Sequence, residues 1–343
     1  QGSGPQAWRP LEYSSVGADY PFIKWKTGGT VFGIITIVIG SISGCMGVFI
    51  PFTMLLPQAA NQKLGAVITA TLLYVGIAVA LIWLGAGAVK MRRWVRPIVL
   101  IFGLLSIILG VFFFVSMGLM YSVSAKGSQT NPAVLGTPGA PYPVFVAMTM
   151  LFFGFLFVAI PGVYVWFYRK PEVKAALEHF DPAPRWTDRC PIPALAIVMV
   201  LMCYAVMTLV AIPQAIMPVF GTVLHGPFAM VLQLILVVVA IILAKLAFQC
   251  RPSGWWGTTG LLILLMIAYA MTSLRSDQPA MYRAAGFDAQ QVELMSRMQS
   301  SRPFGFLIIQ LISTLLMLGY LAYVRKYFNG PNREAMAIGS PAA

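Results

Sequence analysis

The only place where ionisable side chains of catalytic type crowd together is between positions 179 and 190, which hold His179, Asp181, Asp188 and Cys190. An imidazole, two carboxylates and a thiol are the ingredients of acid–base or nucleophilic chemistry. Such clusters in charge-rich connections more often form a solvated surface. An intramembrane enzyme built on these four residues therefore ranks third, behind two non-catalytic functions.

The usual chemical signatures are missing. No Cys-x-x-Cys, His-Glu-x-x-His, phosphate-binding Gly-x-x-x-x-Gly-Lys-[Ser/Thr] or Gly-x-Ser-x-Gly is present. The two histidines, His179 and His225, fall in connections expected on opposite sides of a membrane, so they do not pair across a haem. Nineteen methionines are scattered rather than grouped with His or Cys, which is the pattern of core filling and not of a copper path. The expectation is no catalytic residue, no cofactor and no metal site.

Polar groups inside the apolar stretches are few. All ten acidic residues fall in connections or tails, whereas cation-coupled transporters usually keep a carboxylate within the membrane. Gln214, Gln233 and Gln310 fall in apolar stretches and are candidates for one polar pocket; the plainer reading is interhelical hydrogen bonding. Lys245 sits near the end of its stretch, where its stem reaches the interface. Lys90, Arg92, Arg93 and Arg96 form a basic connection suited to anionic lipid headgroups.

The elements that carry these residues follow from composition. The chain is 59% hydrophobic and 10% charged, with a mean hydropathy of +0.82, where soluble domains carry about 25% charged residues. About 20 apolar residues cross a hydrocarbon layer roughly 30 Å thick. Charge-free intervals place spans near 31–56, 65–89, 97–121, 144–168, 193–216, 227–249, 255–274 and 303–324. The expected fold is an all-α integral membrane protein with about eight transmembrane helices. The 55 residues between Arg189 and Lys245 carry no charge and divide at a turn marked by Pro213, Pro218, Gly221, Gly226 and Pro227.

Basic residues then set the orientation. One side collects 17 Lys and Arg and the other 6, so the positive-inside rule puts both termini in the cytoplasm. The expected location is the bacterial inner membrane. In that setting the net charge of +13 points to lipid headgroups and other membrane subunits as partners, not to nucleic acid. The first apolar run is long enough to stay as a helix, so no cleavable signal peptide is expected. Cysteines 45, 190, 203 and 250 lie within spans or at their cytoplasmic ends, so no disulfide framework is expected.

Two halves recur in order. Met46, Ile50-Pro51 and Pro57 in the first span answer to Met207, Ile212-Pro213 and Pro218 in the fifth. Trp94 and Trp255 follow basic residues after the second and sixth spans, and Tyr164 and Tyr320 each stand five residues before an Arg-Lys pair. These matches suggest a 4+4 parallel internal repeat, with an axis along the membrane normal. The expected organisation is an N-terminal segment 1–29, a half 30–170, a linker 171–189 with a short helix from Pro171 to Phe180, and a half 190–327. The second half carries an outer amphipathic loop at 275–302, and a tail follows at 328–343. Gly33, Gly40, Gly44 and Gly47 make a small-residue ridge for close helix packing.

The leading expectation for function is an accessory or scaffolding subunit of a membrane complex. The alternative is a carrier or channel for a small uncharged or lipid-like solute.

Overall fold

The computed structural model describes residues 20–55, 64–127, 142–275, 283, 292, 293, 296 and 303–328, with only the backbone at several helix ends, including 303–310. The outer amphipathic segment expected near 282–298 lies almost entirely outside the described residues.

The protein is a membrane-embedded bundle of long apolar helices. Among the described residues, seven helices are long and apolar enough to cross a membrane. Helices α1 (Tyr20–Phe49), α2 (Leu64–Val89) and α3 (Val95–Gly127) come first. A fourth crossing is assembled from α4 (Tyr142–Gly154), a π-helical turn at Phe155–Ala159 and α5 (Ile160–Arg169). The short α6 (Pro171–Phe180) spans the residues that the sequence assigns to it. Then come α7 (Ile192–Ala211), α8 (Pro227–Phe248), α9 (Pro252–Arg275) and α10 (Pro303–Val324). At a rise of about 1.5 Å per residue, the 20 residues of α7 already reach about 30 Å.

Helix α1 starts earlier than hydropathy alone indicates, at Tyr20 rather than near residue 31. The reason is aromatic packing: Phe22 stacks on His179 with ring centroids 4.8 Å apart, and Trp25 lies 6.1 Å from Phe167. Part of the segment 1–29 is therefore helix.

The glycine ridge packs α1 against α2. A Cβ at Gly33 would stand 2.7 Å from the Gly85 carbonyl oxygen and 2.8 Å from the Val89 nitrogen, and a Cβ at Gly85 would stand 2.6 Å from the Gly33 carbonyl oxygen. Those are backbone atoms that cannot swing aside, so the two helices meet here only because both residues lack a side chain.

The π turn has a chemical cause. Pro161 has no N–H to give the carbonyl of Phe157, and its ring crowds that carbonyl. The Ser106 hydroxyl of α3 donates to the Phe157 oxygen at 3.3 Å instead, so the freed carbonyl keeps a partner in an apolar setting.

The connection between α7 and α8 is more than the short turn expected there. Strands β1 (Ile216–Val219) and β2 (Thr222–His225) form an antiparallel hairpin, with Ile216 opposite His225 and Val219 opposite Thr222. Its two-residue loop, Phe220-Gly221, has positive φ at both positions (48° and 91°), as a tight twisted hairpin requires. Ala215 at φ 50° turns the chain out of α7, and the Gly226 nitrogen donates to the Ala215 oxygen at 2.9 Å to close the hairpin base.

A similar polar contact occurs twice. The Tyr164 hydroxyl of α5 donates to the Phe32 oxygen of α1 at 2.9 Å, and the Tyr320 hydroxyl of α10 donates to the Pro193 oxygen of α7 at 2.7 Å. The turns after α2 and α8 also match. Met91 (φ 49°) and Cys250 (φ 50°) are left-handed, and their nitrogens donate to the oxygens of Ala88 and Ala247. The next residues, Arg92 and Arg251, donate to Gly87 and Leu246, which makes a Schellman closure without glycine. Both left-handed side chains are buried, and this burial offsets a backbone cost of about 1–2 kcal/mol.

Candidate functional site

Among the described residues, ion pairs gather at one end of the bundle, where the segment between α5 and α7 folds back over the α2–α3 turn. Helix α6 buries Val173, Ala176 and Leu177 against Met91, Val95, Phe167 and Tyr168. Spacing of three and four residues puts those three side chains on one helical face. With that face fixed, the C-terminal end of α6 delivers Glu178 and Asp181 to the arginines of the turn.

Asp181 is the hub. Only 4% of it is exposed, and its carboxylate accepts from Arg185 Nε at 2.9 Å, from Arg185 Nη2 at 2.6 Å and from the Arg93 backbone N–H at 3.1 Å. Arg92 Nη1 approaches to 3.7 Å. Hydrogen bonding to Arg185 above all, and then to the Arg93 backbone, holds this carboxyl below the usual carboxylate range. Asp188 closes a small loop of its own by accepting from the Arg185 backbone N–H at 2.9 Å, and it pairs with Arg93 Nε at 3.3 Å. Arg93 also reaches Glu178 at 3.2 Å.

The catalytic-type cluster is thus distributed among structural contacts. Asp181 and Asp188 are brought together through Arg93 and Arg185. His179 stacks on Phe22 of α1. Cys190 is buried in the core around α7 and α8, beside Cys250. Its thiol is held above the usual thiol range, first by hydrogen bonding with Cys250 and then by burial, so it is a poor nucleophile.

Much of the basic connection is engaged by the protein itself. Lys90 is exposed, Arg92 and Arg93 face carboxylates of the linker, and Arg96 donates from Nε to the Tyr168 oxygen at 3.0 Å. Sequence reasoning assigns all four to lipid headgroups and does not show that Arg92 and Arg93 face carboxylates, because loop pairing is invisible in hydropathy. A cleft of about 310 Å³ opens beside them, lined by Arg93, Arg96, Lys174, Glu178, Thr187 and Asp188, with Cys190 and Ile192 at its edge. Thr187, which the sequence gives no reason to single out, is 2% exposed, and its hydroxyl oxygen has no hydrogen-bond partner among the described residues.

At the hairpin end Gln214 and Gln233 have different surroundings. Gln214 is exposed on the turn after α7. Gln233 is 5% exposed and donates from Nε2 to the Ile216 oxygen of β1 at 3.1 Å, while its Oε1 is buried without a partner among the described residues. Gln310 lies on α10, its side chain outside the described residues. Gln233 therefore holds the hairpin, aided by Thr272 Oγ1, which accepts from the Gly221 N–H at 3.2 Å. Lys245 is exposed in the last turn of α8, where its stem leads to the basic end.

Comparison with protein-family models, curated proteins and solved structures returned no match.

Proposed function

We propose that this protein is a non-catalytic accessory or scaffolding subunit of a membrane complex, with eight spans and both termini in the cytoplasm of a bacterial cell. The observation that carries this reading is the use made of polar groups within the spans. Tyr164, Thr69, Ser106, Trp255 and Tyr320 all donate to backbone oxygens of neighbouring helices, at 2.7–3.3 Å. These groups serve assembly of the bundle, while the outer faces stay apolar, with Phe228 80% and Leu316 67% exposed. Such faces suit lipid or the helices of partner subunits.

A 4+4 duplication is part of the same reading. The recurrent tyrosine bond and the paired Schellman turns support it, and so does a volume exchange. Gly29 and Cys190, like Phe32 and Pro193, stand 161 positions apart. Met91 fills the space above Gly29 in the first half, whereas Cys250 meets Cys190 in the second. A long side chain against none, and two short ones together, fill similar gaps.

The test is native purification of the tagged protein in lipid nanodiscs, followed by quantitative mass spectrometry. The expected result is at least one membrane protein at fixed stoichiometry. A lone chain would overturn the subunit reading. One observation favours the alternative of a carrier for a small uncharged or lipid-like solute: the Oε1 of Gln233, buried without a partner among the described residues. A solute that stabilises the purified chain, with the effect lost in Gln233→Leu, would establish that alternative.

A further inference from the structure

We infer that the cleft between the α2–α3 turn, α6 and the start of α7 binds a single phosphate ester group, belonging to an anionic phospholipid or to a soluble phosphate compound. Three cations and two anions line it: Arg93, Arg96 and Lys174 against Glu178 and Asp188. Arg93 is held by both carboxylates and Lys174 stands 3.9 Å from Glu178, so one positive charge is in excess. That charge is Arg96. It is half-buried and donates only Nε to protein, to the Tyr168 oxygen, so its two Nη groups make no hydrogen bond to a described residue. A planar guanidinium with a free edge matches two oxygens of a phosphate.

Two further features point the same way. The cleft is lined by Arg96 and Pro97 at the start of α3 and by Ile192 at the start of α7, so the first turns of two long helices border it, where negative charge is favoured. Independently, Thr187 lines the cleft with a buried hydroxyl that no described protein group engages. A buried hydroxyl without a partner is costly unless something supplies one; the oxygen is closed to solvent, so a phosphate oxygen accepts its proton once a χ1 rotation turns the hydroxyl into the cleft. Ile192 is 37% exposed where α7 enters the apolar layer, which continues the cleft toward acyl chains.

The test is thermal stabilisation of the full chain in detergent, titrated with phosphatidylglycerol, with diacylglycerol of the same acyl chains, and with inorganic phosphate. Phosphatidylglycerol is expected to stabilise the wild type and diacylglycerol not to. Thr187→Val keeps the shape and removes only the hydroxyl, so it should fold normally and bind phosphatidylglycerol about tenfold more weakly. Lys174→Ala, at an exposed position, should weaken binding in the same direction. Arg96→Gln should weaken it most; should that variant misfold because the Tyr168 contact is lost, the other two decide. Equal stabilisation by inorganic phosphate would identify a soluble phosphate compound as the ligand and uphold the site. Equal stabilisation by diacylglycerol, or unchanged binding in both Thr187→Val and Lys174→Ala, would overturn it. The readout is lipid binding to the purified chain, so it stands apart from whether partner subunits are found.

Discussion

Asp181→Asn should loosen the segment after α6 from the α2–α3 turn. The carboxylate is buried, but its partners are not fully so: the Arg185 side chain is 33% exposed and that of Arg92 44%. Removing one member of a fully buried ion pair costs about 3–5 kcal/mol, and an exposed pair is worth about 0–1 kcal/mol. The mixed burial places the expected loss at about 2–3 kcal/mol, with the amide turning at least one donor toward a guanidinium. Unfolding in mixed micelles with increasing sodium dodecyl sulfate, followed by the fluorescence of Trp186 and Trp25, measures it. A pH series adds a second arm. Because Asp181 titrates below the usual carboxylate range in the folded chain, its contribution is complete above the unfolded value of about 3.9. It is lost as pH falls from there toward the folded value. The wild type should therefore lose stability over that acid range, and Asp181→Asn should lose correspondingly less. The double variant Asp181→Asn, Arg185→Met should recover part of the loss, since the Arg185 guanidinium no longer faces the amide. A single variant within about 0.5 kcal/mol of wild type, with an unchanged acid limb, would refute the clamp.

Three other substitutions probe separate parts of the fold. Gly33→Leu should split the α1–α2 contact at a cost of at least about 2 kcal/mol, whereas Gly76→Leu, with no atom within 4 Å of its added Cβ, should be tolerated; the same micelle titration compares them. Gln233→Leu should change stability by less than about 1 kcal/mol, since it loses one bond to Ile216 but removes a buried oxygen without a described partner; a larger loss would mean that the amide does more than hold the hairpin. Ser253→Cys, exposed at the start of α9, should react with an impermeant thiol reagent only after permeabilisation, and labelling of intact cells would reverse the orientation.

What the sequence determined by itself is the part of the protein governed by solvent. Charge-free intervals locate α2, α7, α8 and α9 to within a few residues, because an apolar run of that length has no stable place except the hydrocarbon layer. Helix α6 is legible from Pro171 to Phe180, since a proline opens it and its apolar residues repeat at helical spacing. The ridge beginning at Gly33 announces close packing, though not that Gly85 would receive it.

Tertiary structure decided everything that depends on which distant segments meet. The basic run Lys90–Arg96 reads as a headgroup patch until Asp181 and Glu178, some 85–90 positions away, arrive to neutralise much of it. The prolines and glycines of 213–227 mark a turn, but the hairpin at Ile216–His225 is hidden because its strands are as apolar as the helices that flank it; residues of positive φ at Ala215, Phe220, Gly221 and Gly226 shape it. Thr187 carries no signal in the chain at all. Its importance lies in burial without a described partner, and burial is a property of the folded assembly rather than of any local pattern of residues.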